Sequence, residues 1–69
     1  MSDLPIGRRI AVLRVARNLR QRDVARAADL PVSALSGIET GHRIPRECEL
    51  EAVLNALGVT PDDLARVRA

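Results

Sequence analysis

The sequence of 69 residues contains no Phe, Tyr or Trp. Its core must therefore be built from Leu, Ile, Val and Ala, which suits a compact helical bundle because small side chains let helices approach closely. A chain of this length buries only about 60% of the surface that it exposes when unfolded, so we expect one domain, residues 1–69. The absence of aromatic rings also removes the stacking platform with which many proteins bind single-stranded nucleic acid.

Cysteine and histidine occur once each, as Cys48 and His42. One cysteine cannot form an intramolecular disulfide, and these two residues cannot assemble a structural zinc site. Without a Ser/His/Asp set or a cluster of metal ligands, the sequence predicts no enzyme activity, no metal and no cofactor. It also lacks a signal peptide and any long apolar run, so we expect a cytoplasmic protein that does not enter a membrane.

Lysine is absent as well, and all eleven basic residues are Arg. A GC-rich genome explains this, which is the explanation we favour; the alternative is a use of arginine for bidentate contacts with phosphate or guanine. Residues 1–46 hold nine Arg and four acidic residues, a formal charge of +5, whereas residues 47–69 hold two Arg and five acidic residues, a charge of −3. This asymmetry predicts that the first part of the chain meets a polyanion.

Hydrophobic periodicity and helix-capping residues predict five helices, at about residues 5–17, 21–28, 32–39, 46–57 and 61–67. Asn18, Gly41 and Gly58 suit the left-handed conformation that ends a helix. Pro31 suits a first helical position, and Thr60 is a typical N-cap residue. The residues expected to face the core are Ile6, Ile10, Leu13, Leu19, Val24, Ala25, Ala28, Leu35, Ile38, Leu50, Val53, Leu54, Leu57, Leu64 and Val67.

Val12 and Val15 fall outside the periodic stripe of the first helix. Either they widen its contact with the core, which we favour, or they form a small exposed patch for self-association or a protein partner.

The second and third predicted helices are short and are separated by the break Asp29-Leu30-Pro31. This is the layout by which a second helix enters the major groove of DNA while the first crosses the backbone. Helical hairpins are common, so the spacing alone is weak evidence, and the ordered pattern along the whole chain is far more specific. Its most telling parts are Gln21 followed by Val24-Ala25, the Ile38-Glu39-x-Gly41 ending, Pro45, and Ala56-Leu57-Gly58-Val59.

Over about residues 6–64 the sequence resembles the repressor/Cro-type (XRE) helix-turn-helix family. The resemblance implies an all-α, five-helix, lambda-repressor-like DNA-binding domain with a central helix-turn-helix. It further implies a bacterial or phage-encoded, nucleoid-associated transcriptional regulator that binds a double-stranded DNA operator, with repression as the expected mode. The alternative is an adaptor or inhibitor that keeps this fold with little DNA affinity and binds a protein through Val12, Val15 or the C-terminal helix.

The resemblance also implies roles for individual residues. Gln21 would grip a phosphate and brace the recognition helix, although it could be a plain helix-start residue. Arg20 stands where the family usually has a Ser or Thr cap, and Arg14 and Glu39 match an internal ion pair. The predicted DNA-binding residues are Arg20, Gln21, Arg22, Val32, Ser33, Ser36, Gly37, His42, Arg43 and Arg46.

Several arginines and the single histidine have plainer interpretations. Arg8, Arg9 and Arg17 are expected to form a solvated face of the first helix. His42 is expected to be an exposed loop residue and not a pH switch.

The predicted recognition helix lacks the Arg, Lys, Asn or Gln side chains that usually read base edges. At its outward positions it has only Val32, Ser33, Ser36 and Gly37. Either the small residues let the helix sit deep in the groove, or phosphate contacts and DNA deformability supply most of the selectivity, or the surface meets a protein.

We expect a homodimer on a two-fold operator, because one such domain contacts a single half-site. Leu64, Val67 and the adjacent residues of the fourth helix are the predicted dimer surface.

Overall fold

The structure, a computed structural model, describes residues 4–67, and within them the chain folds into five helices. They are α1 (Ile6–Ala16), α2 (Gln21–Ala27), α3 (Val32–Thr40), α4 (Glu47–Leu57) and α5 (Pro61–Arg66). The predicted all-α fold with five helices is therefore confirmed over the described residues, and no helix end differs from its predicted position by more than one residue. Pro31 is the N-cap of α3 and not its first residue, because its ψ of 146° is extended.

Helix ends follow the local chemistry of the sequence. Gly41 and Gly58 end α3 and α4 with φ of 85° and 73°, as predicted, and Asn18 takes a φ of 57° just after α1. Thr60 caps α5, as predicted: its hydroxyl accepts a hydrogen bond from the Asp63 N–H at 3.2 Å. The Asp63 carboxylate accepts from the Thr60 N–H at 2.9 Å, which completes a capping box.

The core is aliphatic, as the composition requires. α1 packs against α3, α4 and α5, while α2 packs against α3 and α4. The residues buried together are Ile10, Val24, Ala25, Ala28, Leu35, Ile38, Val53, Leu54, Leu57, Val59 and Leu64, with Leu13, Leu19, Leu30, Leu50, Ala52 and Ala56 partly buried against them.

α1 meets α3 through Gly7, a residue that sequence reasoning missed. A Cβ atom at this position would lie 1.8 Å from the carbonyl oxygen of Ile38 and 2.9 Å from its carbonyl carbon. No side chain fits there, so glycine is what allows the backbone of α1 to lie directly on the C-terminal turn of α3.

The position of Gly7 explains why the apolar stripe of α1 was partly misassigned. Gly7 and Ile10 are the buried residues of the helix. Ile6 was predicted to face the core, but it lies at the edge of the buried face and is 39% exposed. The favoured prediction for Val12 and Val15 was also wrong: they are 43% and 61% exposed and do not pack against the core.

The predicted dimer surface needs a similar correction. Leu64 is only 6% exposed because it packs into the domain's own core. Val67 is half-buried and follows α5 as its C-cap residue. Leu64 therefore has little surface to offer a second copy.

None of the helices in residues 4–67 is both long enough and apolar enough to cross a membrane.

Candidate nucleic-acid interface

α2 and α3 form a helix-turn-helix whose turn is held by the core. The Leu30 N–H donates to the carbonyl of Ala25 at 2.8 Å, and the Leu30 side chain packs partly buried against the core. Asp29 takes a left-handed φ of 59°, a conformation that Asp adopts more readily than most residues. The turn thus joins the two helices through the four residues 28–31 and fixes α3 relative to α2.

α3 has two chemically distinct sides. Its inner side is apolar apart from one carboxylate and consists of Ala34, Leu35, Ile38 and Glu39, all buried. Its outer side carries every residue predicted to face base edges. Val32 is 44% exposed, Ser33 is exposed, and Ser36 and Gly37 are half-buried. Thr40, which sequence reasoning did not select, continues this outer side one turn later and is also exposed.

The buried Glu39 carboxylate ties three helices together. Its two oxygens accept hydrogen bonds from Arg14 Nε at 2.8 Å and Arg14 Nη2 at 3.1 Å, so the pair is bidentate. Gln21 Nε2 donates to the same carboxylate at 3.0 Å, and Arg14 Nη1 donates to the carbonyl of Leu19 at 2.8 Å. Arg14 and Glu39 are thus brought together, and Gln21 lies in the position of a brace between the start of α2 and the end of α3.

A second set of bonds holds the loop after α3 against the outer side of that helix. The carbonyl of Gly37 accepts from the N–H groups of His42 at 2.9 Å and Arg43 at 3.1 Å. The Thr40 hydroxyl lies 2.9 Å from the carbonyl of Ser36 and 2.8 Å from His42 Nδ1. Because a hydroxyl has one proton, donation from Thr40 to the Ser36 carbonyl assigns His42 Nδ1 as the donor to Thr40.

The Arg43 guanidinium pairs with Glu49 in the first turn of α4. Glu49 also accepts a hydrogen bond from the backbone N–H of Arg46 at 3.0 Å. That backbone bond and the positive charge of Arg43 lower the pKa of the Glu49 carboxyl from its ordinary value of 4.5. Sequence reasoning missed Glu49, although its position three residues after a helix N-cap is typical of a capping acid.

Two helices begin at an arginine instead of at an acceptor side chain. Arg20 and Arg46 are the N-cap residues of α2 and α4, and the acid three positions later accepts each backbone N–H: Asp23 at 3.2 Å for Arg20, and Glu49 for Arg46. A guanidinium cannot cap a helix, and a cation is unfavourable at the positive end of a helix. Both side chains are exposed, which leaves them available to an anion.

Arg22 lies exposed on α2, and its side chain makes no hydrogen bond or salt bridge within residues 4–67. The predicted DNA-binding residues thus come from three places: the first turn of α2, the outer side of α3, and the loop that runs from α3 to α4. The hydrogen bonds above join the last two places directly, through Gly37.

Comparisons with known proteins agree with this architecture. The family described as a helix-turn-helix domain matches residues 5–67. The uncharacterized HTH-type transcriptional regulator YazB of Bacillus subtilis (strain 168) is 34% identical over 59 residues, which is 86% of this chain and 86% of YazB. The restriction-modification controller protein C.AhdI from Aeromonas hydrophila superposes with a TM-score of 0.81 at 30% identity, over 86% of this chain and 89% of that chain.

The wild-type restriction-modification controller protein C.Esp1396I superposes equally well, with a TM-score of 0.81 at 25% identity, over 87% of this chain and 79% of that chain. The resemblance to repressor/Cro-type helix-turn-helix proteins is therefore confirmed. The chain belongs to the helix-turn-helix domain family.

Proposed function

We propose that the protein is a transcriptional regulator that binds a double-stranded DNA operator, with repression as its mode of action. The observation that carries this proposal is the two-sided construction of α3. Its inner side is fixed by the core and the Glu39 carboxylate, while its outer side is exposed and bordered by arginines. A rigid helix with a free outer side is what insertion into the major groove requires. The similarity to a transcriptional regulator and to controller proteins supports the same function.

Few side chains of α3 can contact the edges of DNA bases. The hydroxyls of Ser33 and Ser36 can donate to or accept from any base edge, and Val32 can contact a thymine methyl. Gly37 has no side chain, so the outer side of α3 can approach the bases closely. We infer that the selectivity combines these short-range contacts with the shape and deformability of the DNA.

In this proposal the affinity for DNA comes mainly from contacts with its phosphates. We propose that the arginines at the starts of α2 and α4, with Arg22 and Arg43, contact the two strands beside the groove. If each of these four arginines neutralises one phosphate, log K falls with log salt concentration with a slope of about −3.6 per domain. Gln21 donates to Glu39, so its phosphate role uses the second proton of the same amide.

The protein acts as a homodimer in this proposal, because one domain covers one half-site and a two-fold operator needs two. Since Leu64 is buried, the dimer contact must use other residues of the domain. Sedimentation equilibrium with and without an operator duplex tests the stoichiometry, and a 1:1 complex at saturation would contradict it. A DNA-binding regulator of this kind acts in the cytoplasm, where the chromosome lies.

Fluorescence anisotropy with a pool of random duplexes, at low and high salt, tests the proposal. We expect salt-sensitive binding that Arg20→Ala weakens, with the slope reduced by about 0.9. Arg66→Ala is the charge-matched control, because Arg66 lies on α5 and its side chain is 78% exposed. No binding at low salt would favour the adaptor alternative, and equal losses in the two variants would contradict phosphate contacts by Arg20.

A further inference from the structure

Arg43 is held at two points, its backbone N–H and its guanidinium, although it lies in a loop. Its backbone N–H donates to the carbonyl of Gly37 at 3.1 Å. Its Cβ atom lies 3.4 Å from the place where a Cβ at Gly37 would stand, so the side chain starts beside Gly37. Its Nη2 atom then donates to the Glu49 carboxylate. The side chain therefore links the outer side of α3 to the first turn of α4.

Glu49 is itself fixed before it holds Arg43. Its second oxygen accepts the backbone N–H of Arg46 at 3.0 Å, and its side chain is only 13% exposed. Glu47 stands two residues earlier in the same helical turn, is exposed, and makes no hydrogen bond or salt bridge within the described part of the chain. Two acids of equal charge thus lie in the same turn of α4 but point in different directions, and one of them holds an arginine.

The pairing leaves Arg43 able to bind a second anion. Within residues 4–67 only Nη2 of its guanidinium donates a hydrogen bond, so Nε and Nη1 are free to donate elsewhere. The Arg43 side chain is 41% exposed, against 13% for Glu49. A phosphate can therefore approach the guanidinium from solvent without displacing the carboxylate.

We propose that Glu49 is a positioning residue of the DNA interface, which holds the Arg43 guanidinium beside the outer side of α3 before DNA arrives. This inference rests on the proposed function. An arginine side chain loses much rotamer freedom when it is fixed on a phosphate, and an arginine that is already fixed loses less. The typical cost of immobilising one such side chain corresponds to a two- to ten-fold change in affinity.

The negative charge of Glu49 by itself lowers the affinity for DNA, because any carboxylate near DNA repels phosphates. This effect opposes the gain from fixing Arg43. Glu47→Gln is the matched control for this effect, since it removes the same charge from the same turn of α4. In Glu49→Gln the amide oxygen can still accept the Arg46 N–H, and the side chain keeps its volume. Thermal melts by circular dichroism verify that both variants are folded at the binding temperature.

The test is a double-mutant cycle measured by anisotropy on one duplex selected from a random pool, at one salt concentration. We expect Glu49→Gln to bind two- to ten-fold more weakly than Glu47→Gln. We expect that difference to disappear when both changes are repeated in an Arg43→Ala background. Equal binding of the two variants, or tighter binding of Glu49→Gln, would overturn the inference.

A difference that persists in Arg43→Ala would also overturn it, because it would show that Glu49 acts through the helix cap. Failure of the unmodified protein to bind duplex DNA even at low salt is a separate outcome: it overturns the proposed function and the inference together.

Discussion

Replacing Gly37 by Ala should make the domain more stable. Gly37 lies inside α3, where glycine is less favourable than alanine by about 0.5–1 kcal/mol. A Cβ atom added there would meet only Arg43 Cβ, at 3.4 Å, which is an ordinary contact distance. Nothing in the domain has to move, so Gly37→Ala should gain most of that free energy. For a domain of this size the melting temperature should rise by about 2–8 °C.

The same methyl group should weaken DNA binding. The methyl group would lie on the outer side of α3, which also carries Ser33 and Ser36, and would stand next to Arg43. If the helix sits with Gly37 against the groove, the methyl displaces it by about 1 Å, which is enough to break hydrogen bonds to base edges. Losing one base contact costs about 1–3 kcal/mol, so we expect affinity to fall by roughly ten-fold or more.

Gly7→Ala is the control, because its added methyl would lie 1.8 Å from the carbonyl oxygen of Ile38. This variant should lose stability by about 1–3 kcal/mol or more, since α1 must move away from α3. The measurements are thermal melts of all three proteins and anisotropy titrations at a temperature where each is folded. A lower melting temperature for Gly37→Ala would refute the argument that the added methyl group fits against Arg43. A higher melting temperature with unchanged DNA affinity would refute the close seating of α3.

Three further predictions concern stability and base selectivity. Glu39→Gln should destabilise the domain by about 3 kcal/mol in urea unfolding, because it strands the Arg14 guanidinium, 16% exposed, without a charged partner; a loss below 1 kcal/mol would contradict this. Ser33→Ala and Ser36→Ala should change which sequences are selected from a random library while salt dependence stays the same; an unaltered preference profile would exclude direct reading by these serines. The pKa values of Glu49 and Asp63 are lowered, so the stability that these carboxylates contribute is present above their ordinary values and is lost as pH falls through the lowered ones. Melting temperature should therefore fall below about pH 4.5, and the fall should be smaller in Asp63→Asn.

Helix ends could be predicted from the sequence because they depend on neighbouring residues only. A glycine such as Gly58 that takes a left-handed φ, or a threonine such as Thr60 followed three residues later by an acid, carries its structural consequence within one helical turn. The inner side of α3 was predictable for the same reason, since Leu35 and Ile38 recur at helical spacing.

The close approach of α1 to α3 could not be predicted, because the residue that allows it is a glycine. Gly7 adds nothing to hydrophobic periodicity, yet it marks the point of closest approach to α3. Ile10 and Leu13 of the predicted stripe do pack in the core, whereas Ile6 is 39% exposed and Val12 and Val15 do not widen the buried face. The contact between Arg43 and Glu49 was equally hidden, since it depends on the path of the loop that joins α3 to α4.

Neighbouring residues of α3 have different roles, in the core or on the exposed side, and this determines which variants can report on DNA binding. Ile38 and Glu39 face inward, whereas Gly37 and Thr40 face outward. A domain of 69 residues has a total stability of only about 3–10 kcal/mol, so a change such as Glu39→Gln removes a large part of it. A loss of DNA binding in such a variant therefore does not separate unfolding from a direct contribution to the interface. Outward changes that leave the fold intact or strengthen it, as Gly37→Ala should, are the ones whose binding losses report on contact with DNA.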